Sequence, residues 1–256
     1  MVVHSIDSIK ELKNDWIVHA SFELVWTDQR LKMQNLKTNK RRNLLSDMER
    51  SQIWIPEVIF SNNKFQNRLI LDEKAEVSVI RTQNNSYVPG YQDLESGLIF
   101  DGLLNKLKYS RTFTEQFTCN FDLRFYPFDI QKCHINLTVP GAVTDLVQLI
   151  PENIDYVGPL LLNQFEIINT SAHSWPNNAQ FTIMFRRLYD YQIISVHIPS
   201  VFLLFISLLT NYVNIVHYEA NIMVRITTML VMYTLFQAIS VSLPQVNREK
   251  LQRPML

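Results

Sequence analysis

The hydrophobic pattern divides the chain near residue 190. Short, imperfectly alternating apolar stretches precede that point, and two long stretches with almost no charge follow it. Ile193–Val213 contains no Lys, Arg, Asp or Glu, and Ile222–Leu243 contains only Arg225. Each has the roughly 20 residues that a helix needs to cross a bilayer. With the short loop Asn214–Asn221 between them, they predict an antiparallel transmembrane hairpin; two buried helices of a soluble core are the alternative.

The part before residue 190 is typical of short strands. Trp16–Trp26, Asn105–Cys119 and Gln180–Leu188 are rich in β-formers and alternate between apolar and polar positions. Turn signals such as Pro89-Gly90 and Gly158-Pro159 separate such stretches. The pattern predicts an all-β sandwich over residues 1–190, of the immunoglobulin-like type, and a transmembrane domain over residues 191–256.

Composition narrows the function. The 24 basic and 24 acidic side chains cancel, which does not favour a nucleic-acid partner, and 47% hydrophobic residues are enough to fill a core. Two cysteines cannot form a four-cysteine zinc site, and the six histidines are scattered without metal-ligand spacing. Phosphate-binding glycine loops, H-E-x-x-H and a nucleophile elbow are missing from the sequence. We therefore expect no enzyme activity, no cofactor and no metal.

The most specific segment is CNFDLRFYPFDIQKC, in which Cys119 and Cys133 enclose thirteen residues. A disulfide between them would close a loop worth about 3 kcal/mol by loop-entropy estimates. The disulfide could serve only to stabilise the fold. However, the Tyr126-Pro127-Phe128-Asp129 segment of the loop is a stiff apolar tip with one carboxylate, which is suited to pressing on another element.

Motifs in order along the chain resemble the Cys-loop receptors, the pentameric ligand-gated ion channels. Besides the cysteine segment, Trp26–Leu31 resembles W-x-D-x-x-L, and Trp54-Ile55-Pro56-Glu57 resembles W-x-P-D with Glu for Asp. Ile198-Pro199-Ser200 resembles the approach to the first membrane helix. The resemblance implies an extracellular ligand-binding sandwich and assembly with four further subunits around a pore for inorganic ions. It also implies that the N-terminal helix and the third and fourth membrane helices are absent, with residues 244–256 starting the linker to the third.

The second membrane segment has the pattern of a pore-lining helix. Polar and apolar residues at spacings of three and four form one helical face: Met223, Thr227, Leu230, Thr234, Gln237 and Val241. A polar stripe in a membrane helix is expected to face water or other helices. By resemblance, Leu230 occupies the central hydrophobic gate, where a ring of leucines blocks ions by dewetting.

Two charges near this helix bear on ion selectivity. Glu219 lies close to the acid of cation-selective relatives, and the Pro-Ala of anion-selective relatives is missing, so we predict a cation-selective channel. An anion-selective channel and a non-conducting accessory subunit are the alternatives. Arg225 stands where relatives have a small residue; it could face the pore or pair with Glu219 of a neighbouring subunit.

The resemblance also suggests residues that couple the two domains. It places Glu11 and Asp129 near Arg187, where the three would form a partly desolvated junction; an exposed ion pair of little energetic value is the alternative. Tyr126, Pro127 and Phe128 would then press near Pro244, at the exit of the pore helix.

The ligand site is where the resemblance weakens. Relatives bind small transmitters between subunits in an aromatic cage. Here Met33, Ser61 and Pro140 stand at positions that are often aromatic, and the hairpin offers only His173 and Trp175. His173 could sense protons or bind a metal. This pattern does not favour acetylcholine, glycine or GABA as the ligand.

Location follows from three sequons and the cysteine pair. Asn84, Asn136 and Asn169 each begin an N-x-S/T triplet. With a disulfide they predict a glycosylated extracellular N-terminal domain on a multi-pass plasma-membrane protein in contact with lipid, and a synaptic location. The positive-inside rule alone would orient this part of the chain the other way, because the short loop between the spans carries no Lys or Arg.

Overall fold

The computed structural model describes most of the 256-residue chain. The described residues are 1–34, 36–37, 43–65, 75–82, 99–141, 147–175, 178–190, 193–212 and 218–242. In the described part of the chain, four strands of ten or more residues and several shorter ones precede residue 190, and the longer helices follow it.

The strands, in chain order, are β1 (Val2–Lys10), β2 (Asp15–Trp26), β3 (Lys32–Gln34), β4 (Ile59–Phe60), β5 (Glu76–Ile80), β6 (Ile99–Asp101), β7 (Lys106–Thr118), β8 (Ile130–Thr138), β9 (Asp155–Tyr156), β10 (Phe165–Trp175) and β11 (Asn178–Arg187). One sheet has the order β5-β7-β2-β1-β9, the second has the order β10-β11-β8-β4, and β3 pairs with β6. All pairs are antiparallel except β1 with β9. The predicted sandwich is confirmed, and the three strands read from the sequence correspond to β2, β7 and β11.

Aromatic side chains from both sheets fill the space between them. Trp16 of the first sheet is fully buried and lies edge-on to Phe185 of the second, with ring centroids 5.7 Å apart. The ring centroid of Phe60 lies 4.8 Å from that of Phe113 and 5.2 Å from that of Phe117. The alternating pattern of β11, in which every second side chain is buried, supplies one wall of this core.

Asn62 and Gly102 help to fix the packing of the sandwich. The side chain of Asn62 donates to the carbonyl of His134 and accepts from the amide of Asn136, while its own carbonyl accepts from the amide of Thr118 in the other sheet. Asn62 thereby bridges the sandwich. Gly102 packs against the W-x-D-x-x-L turn. A Cβ atom at this position would lie 2.2 Å from the Asp28 carbonyl oxygen, so only glycine fits there.

One short helix lies among the strands, and the longer helices follow the sandwich. The short helix α1 (Asp47–Gln52) lies within the sandwich and starts with a capping box from Ser46 and Glu49. A π-helical turn (Ile193–His197), α2 (Ile198–Leu209) and a 3₁₀ turn (Thr210–Tyr212) form one continuous helical stretch. Among the described residues, this 20-residue stretch is the one helix that is long and apolar enough to cross a membrane.

The second predicted helix is longer than its hydropathy indicated. The helix α3 spans Tyr218–Ser242, about 37 Å at 1.5 Å per residue. The predicted start at residue 222 and the loop reaching residue 221 were therefore wrong. The first turn is polar, so hydropathy misses it, but Glu219 there suits a helix because its charge complements the positive N-terminal end of the helix dipole.

Candidate functional site

The disulfide loop lies at the end of the sandwich nearest the helices. Cys119, which follows β7, is bonded to Cys133 of β8, with both cysteines buried. The predicted disulfide is confirmed. Within the loop Pro127 is buried, whereas Phe128 is exposed, so the segment does not project as a single apolar tip.

Gln131 holds the two ends of this loop together. Its side chain is buried; its Nε2 donates to the Asp122 carbonyl (2.8 Å) and to Asp129 Oδ2, and its Oε1 accepts from the Asp122 amide (2.8 Å). Sequence reasoning missed this residue, although it lies inside the same cysteine segment. A buried amide with three hydrogen bonds fixes the position of the neighbouring carboxylate.

The centre of the site is Arg187, the last residue of β11. Its Nε donates to Asp129 Oδ1 (2.6 Å), its Nη2 donates to Asp129 Oδ2 (2.9 Å), and Nη2 also donates to Glu11 Oε1. Arg187 is 7% exposed and Asp129 is 3% exposed. The structure thus brings together the three residues that the resemblance suggested, and their burial sets them apart from an exposed surface pair.

Two rings enclose the guanidinium. Its Cζ lies 4.8 Å from the centroid of Tyr126 and 4.7 Å from that of Phe165. Both distances are within the range of cation–π attraction. Sequence reasoning had no signal for Phe165, because it begins β10 and reaches the site only through the pairing of β10 with β11. We call Glu11, Tyr126, Asp129, Phe165 and Arg187 the junction cluster.

Charges in the junction cluster stabilise each other. Burial alone would raise the pKa of Asp129, but the hydrogen bonds from Arg187 and Gln131 outweigh it and hold the pKa below its usual value. Burial opposes the charge of Arg187, yet Asp129 and Glu11 raise its pKa above the ordinary value. Burial raises the pKa of the Tyr126 hydroxyl. The ion pair is therefore retained across the physiological pH range.

The disulfide loop also contacts the segment that leads to the helices. The exposed ring of Phe128 lies 5.1 Å from the ring of Tyr189, two residues after Arg187. The expected contact with Pro244 lies outside the described residues. Within them, the loop meets the chain just before the first membrane helix through Phe128 and Arg187.

The predicted stripe of α3 lies on a face that no other described element covers. Met223, Thr227, Leu230, Thr234 and Gln237 are exposed, while Thr228 is buried. Val241 belongs to α3, but its side chain lies outside the described residues. Glu219 is four residues before Met223 and is also exposed, so it continues the stripe toward the helix start.

Arg225 does not share the face of the predicted stripe. It lies two residues after Met223, about 200° around the helix, and therefore points away from the stripe. Its Nε donates to Thr210 Oγ1 (3.3 Å) and its Nη2 donates to Asn211 Oδ1. The Asn221 side chain, one turn earlier, donates to the Thr210 carbonyl at 2.7 Å. Arg225 thus ties α3 to the end of the preceding helix within one subunit.

The candidate ligand residues fall into two groups. Ser61 is exposed after β4, Pro140 is half-buried after β8, and His173 is exposed on β10, all on the second sheet. Met33 lies in the separate β3–β6 sheet. Trp175 ends β10, but its side chain, like residues 176–177, lies outside the described residues. The resemblance places the ligand cage between subunits, so a ligand site built from these residues remains a prediction.

The sequons differ in their surroundings. Asn169 is exposed on β10, an edge strand, whereas the Asn136 side chain accepts a hydrogen bond from Gln180 (3.1 Å) in the interior of the second sheet. Asn84 lies outside the described residues. Among those that are described, no group of three or more His, Cys, Asp or Glu side chains could hold a metal ion.

Comparison with known proteins places this architecture in a family. The sequence profile of the neurotransmitter-gated ion-channel ligand binding domain matches residues 1–195. The chain therefore belongs to this family of ligand-gated channels, the Cys-loop receptors, which are not enzymes.

Individual relatives extend the similarity into the helices. A glutamate-gated chloride channel of Drosophila melanogaster is 26% identical over 264 residues, covering 98% of this chain and 52% of the relative. A gamma-aminobutyric acid receptor subunit beta of Lymnaea stagnalis is 24% identical (98% of this chain, 50% of the relative), and one of Caenorhabditis elegans is 23% identical (98% and 44%). The chain spans about half the length of these relatives.

The predicted cation selectivity is wrong in light of these relatives. One of them is a chloride channel by name, and the two others are receptor subunits for GABA. The inference from Glu219 relied on one carboxylate near the helix start. A single charge is a weak predictor, because selectivity depends on how the whole ring of side chains and backbone faces the ion.

Proposed function

We propose that this chain is the receptor and pore-forming part of a subunit of a pentameric, ligand-gated, anion-selective channel in the plasma membrane. Four further subunits complete the pore, a small extracellular ligand binds to the sandwich, and chloride is the permeant ion. The ligand class to test first is that of small amino acids, because the relatives are named for glutamate and GABA.

The observation that carries the proposal is the polar composition of the stripe of α3, since exposure extends to other faces of the helix, including Met229, Tyr233 and Phe236. Its threonines and Gln237 lie opposite Arg225, the residue that holds α3 to the preceding helix. In a bilayer such a stripe favours a water-filled path, since hydrocarbon would not solvate its polar groups. Five copies around an axis would form a polar pore with a ring of Leu230 at its centre.

The junction cluster supports the route of gating. It joins the disulfide loop to the residue after which the chain enters the membrane. A ligand that twists the sandwich would move β11, and with it the start of the membrane helices, through Arg187. The twist would shift the population from closed to open channels.

Voltage-clamp recording of the complete subunit, expressed alone, tests this function. We expect Leu230→Ser to give standing or more easily evoked current, because a polar ring no longer dewets the gate. The reversal potential should follow chloride replacement and ignore sodium replacement. A reversal potential that follows sodium would overturn the anion channel.

A non-conducting accessory subunit is the second candidate, and the positions of Met33, Ser61 and Pro140 favour it. A subunit that only assists others could lose its own aromatic cage. If neither the parent nor Leu230→Ser conducts, although both reach the surface as pentamers, the accessory role becomes the better account. Amino-acid responses that appear only with a second subunit would support it further.

A further inference from the structure

The fold brings together two histidines that lie far apart in sequence. His4 of β1 and His19 of β2 have ring centroids 5.4 Å apart with an interplanar angle of 44°. Both lie on the outward-facing side of the first sheet, where His4 is exposed and His19 half-exposed. Neither residue takes part in the junction cluster, in the stripe of α3 or in the hairpin of the candidate ligand site.

The pairing of β1 with β2 creates this juxtaposition. Val3 pairs with Ala20, so the register places His4 beside His19 on the outward face of the sheet. Ser5 also pairs with His19, so His4 is the extra residue of a β-bulge at this point. The two rings are therefore cross-strand neighbours.

Each ring is held by a hydroxyl group from a neighbouring strand. His4 Nε2 is hydrogen-bonded to Ser21 Oγ (2.9 Å), and His19 Nδ1 to Thr114 Oγ1 (2.8 Å). In the described part of the chain, the hydrogen bonds of these rings use only those nitrogens. His4 Nδ1 and His19 Nε2 remain for another partner. A histidine whose second nitrogen is held in this way is the usual arrangement of a metal ligand, because the bond sets the tautomer and the ring orientation.

We propose that His4 and His19 form a two-histidine site for a borderline divalent transition metal ion such as Zn²⁺. Imidazole is a preferred ligand of Zn²⁺, Cu²⁺ and Ni²⁺ and a poor one for Ca²⁺ and Mg²⁺, which excludes the hard cations. With two side-chain ligands the remaining positions belong to water, so the ion is exchangeable and not a structural part of the fold.

Titration of the complete chain in detergent with ZnCl₂ tests the site, with heat of binding as the readout. We expect one saturable Zn²⁺ per chain, lost in both His4→Ala and His19→Ala. Thr114→Val and Ser21→Ala keep both histidines but remove the hydrogen bonds that orient their rings. We expect the affinity of these variants for Zn²⁺ to fall on the order of 10-fold. CaCl₂ and MgCl₂ should give no saturable binding.

His173→Ala is the matched control, since it removes an exposed histidine from a strand of the other sheet. It should bind Zn²⁺ as the parent does. Unchanged binding in His4→Ala or in His19→Ala would overturn the proposal, as would loss of binding in His173→Ala. Circular dichroism melting of each variant distinguishes loss of the site from loss of the fold, and the proposal fails if folded His4→Gln still binds one Zn²⁺ with parental affinity.

Discussion

Arg187 and Asp129, 58 residues apart in sequence, are joined by two parallel hydrogen bonds of 2.6 and 2.9 Å at the end of the sandwich. This paired geometry is more specific than a single ion contact, because a guanidinium and a carboxylate match in two places at once. It connects the disulfide loop to the last residue of β11, six residues before the first long helical stretch. The bond therefore fixes the loop to the end of this strand.

Removing the arginine should be costly. Arg187→Gln leaves Asp129 buried without its cation, and we expect the free energy of unfolding to fall by about 3–5 kcal/mol. Arg186→Gln is the matched control, because Arg186 pairs with Glu166 near the surface and its own side chain is 55% exposed. Denaturant unfolding of both variants in detergent measures the difference. Equal effects of the two substitutions would show that the junction is no stronger than a surface pair.

Acid should weaken the same junction. The pKa of Asp129 is lowered in the folded protein, so its contribution is fully present above its unfolded value of about 4 and is lost as pH falls through the lower folded pKa. Asp129→Asn cannot titrate. Thermal melting from pH 6 downward should show that the parent loses more stability below about pH 4 than this variant does. Parallel curves for the two proteins would contradict the assignment.

Neutralising Glu219 should increase chloride current. The residue continues the stripe at the start of α3, and five carboxylates at the mouth of an anion pore repel the permeant ion. Glu219→Gln removes this repulsion, so single-channel conductance should rise while the reversal potential still follows chloride. Glu57→Gln, an exposed carboxylate in the sandwich, is the control and should leave conductance unchanged. Unchanged conductance in Glu219→Gln would place this side chain outside the ion path, and a fall would contradict repulsion of the permeant ion.

Of the two described sequons, one should carry a glycan. Asn169→Gln should reduce the mobility shift that a glycosidase removes from the mature protein by the mass of one glycan, because Asn169 is exposed on an edge strand. Asn136→Gln should leave that shift intact, since the Asn136 amide is held by Gln180 between neighbouring strands. The reverse pattern would mean that the outward face of β10 is covered in the assembled protein.

The junction illustrates how far sequence reasoning reaches. Arg187, Asp129 and Glu11 were found because motifs of the family fix their places along the chain. Gln131 and Phe165 were missed, since their roles depend on which backbone groups and rings lie within reach after the strands pair. For Arg225 the sequence left the orientation open, and the structure directs the side chain away from the stripe, toward Thr210 and Asn211.

By itself the sequence determined the division into a sandwich and later helices, three of the main strands and the Cys119–Cys133 bond. These features follow from local periodicity and motif spacing, which the chain carries before it folds. Only the tertiary structure decided the partners of Arg225, the burial of the junction cluster and the meeting of His4 with His19. Such contacts depend on which elements come together in the fold, and within the strands a register shift of one residue would turn each side chain to the opposite face.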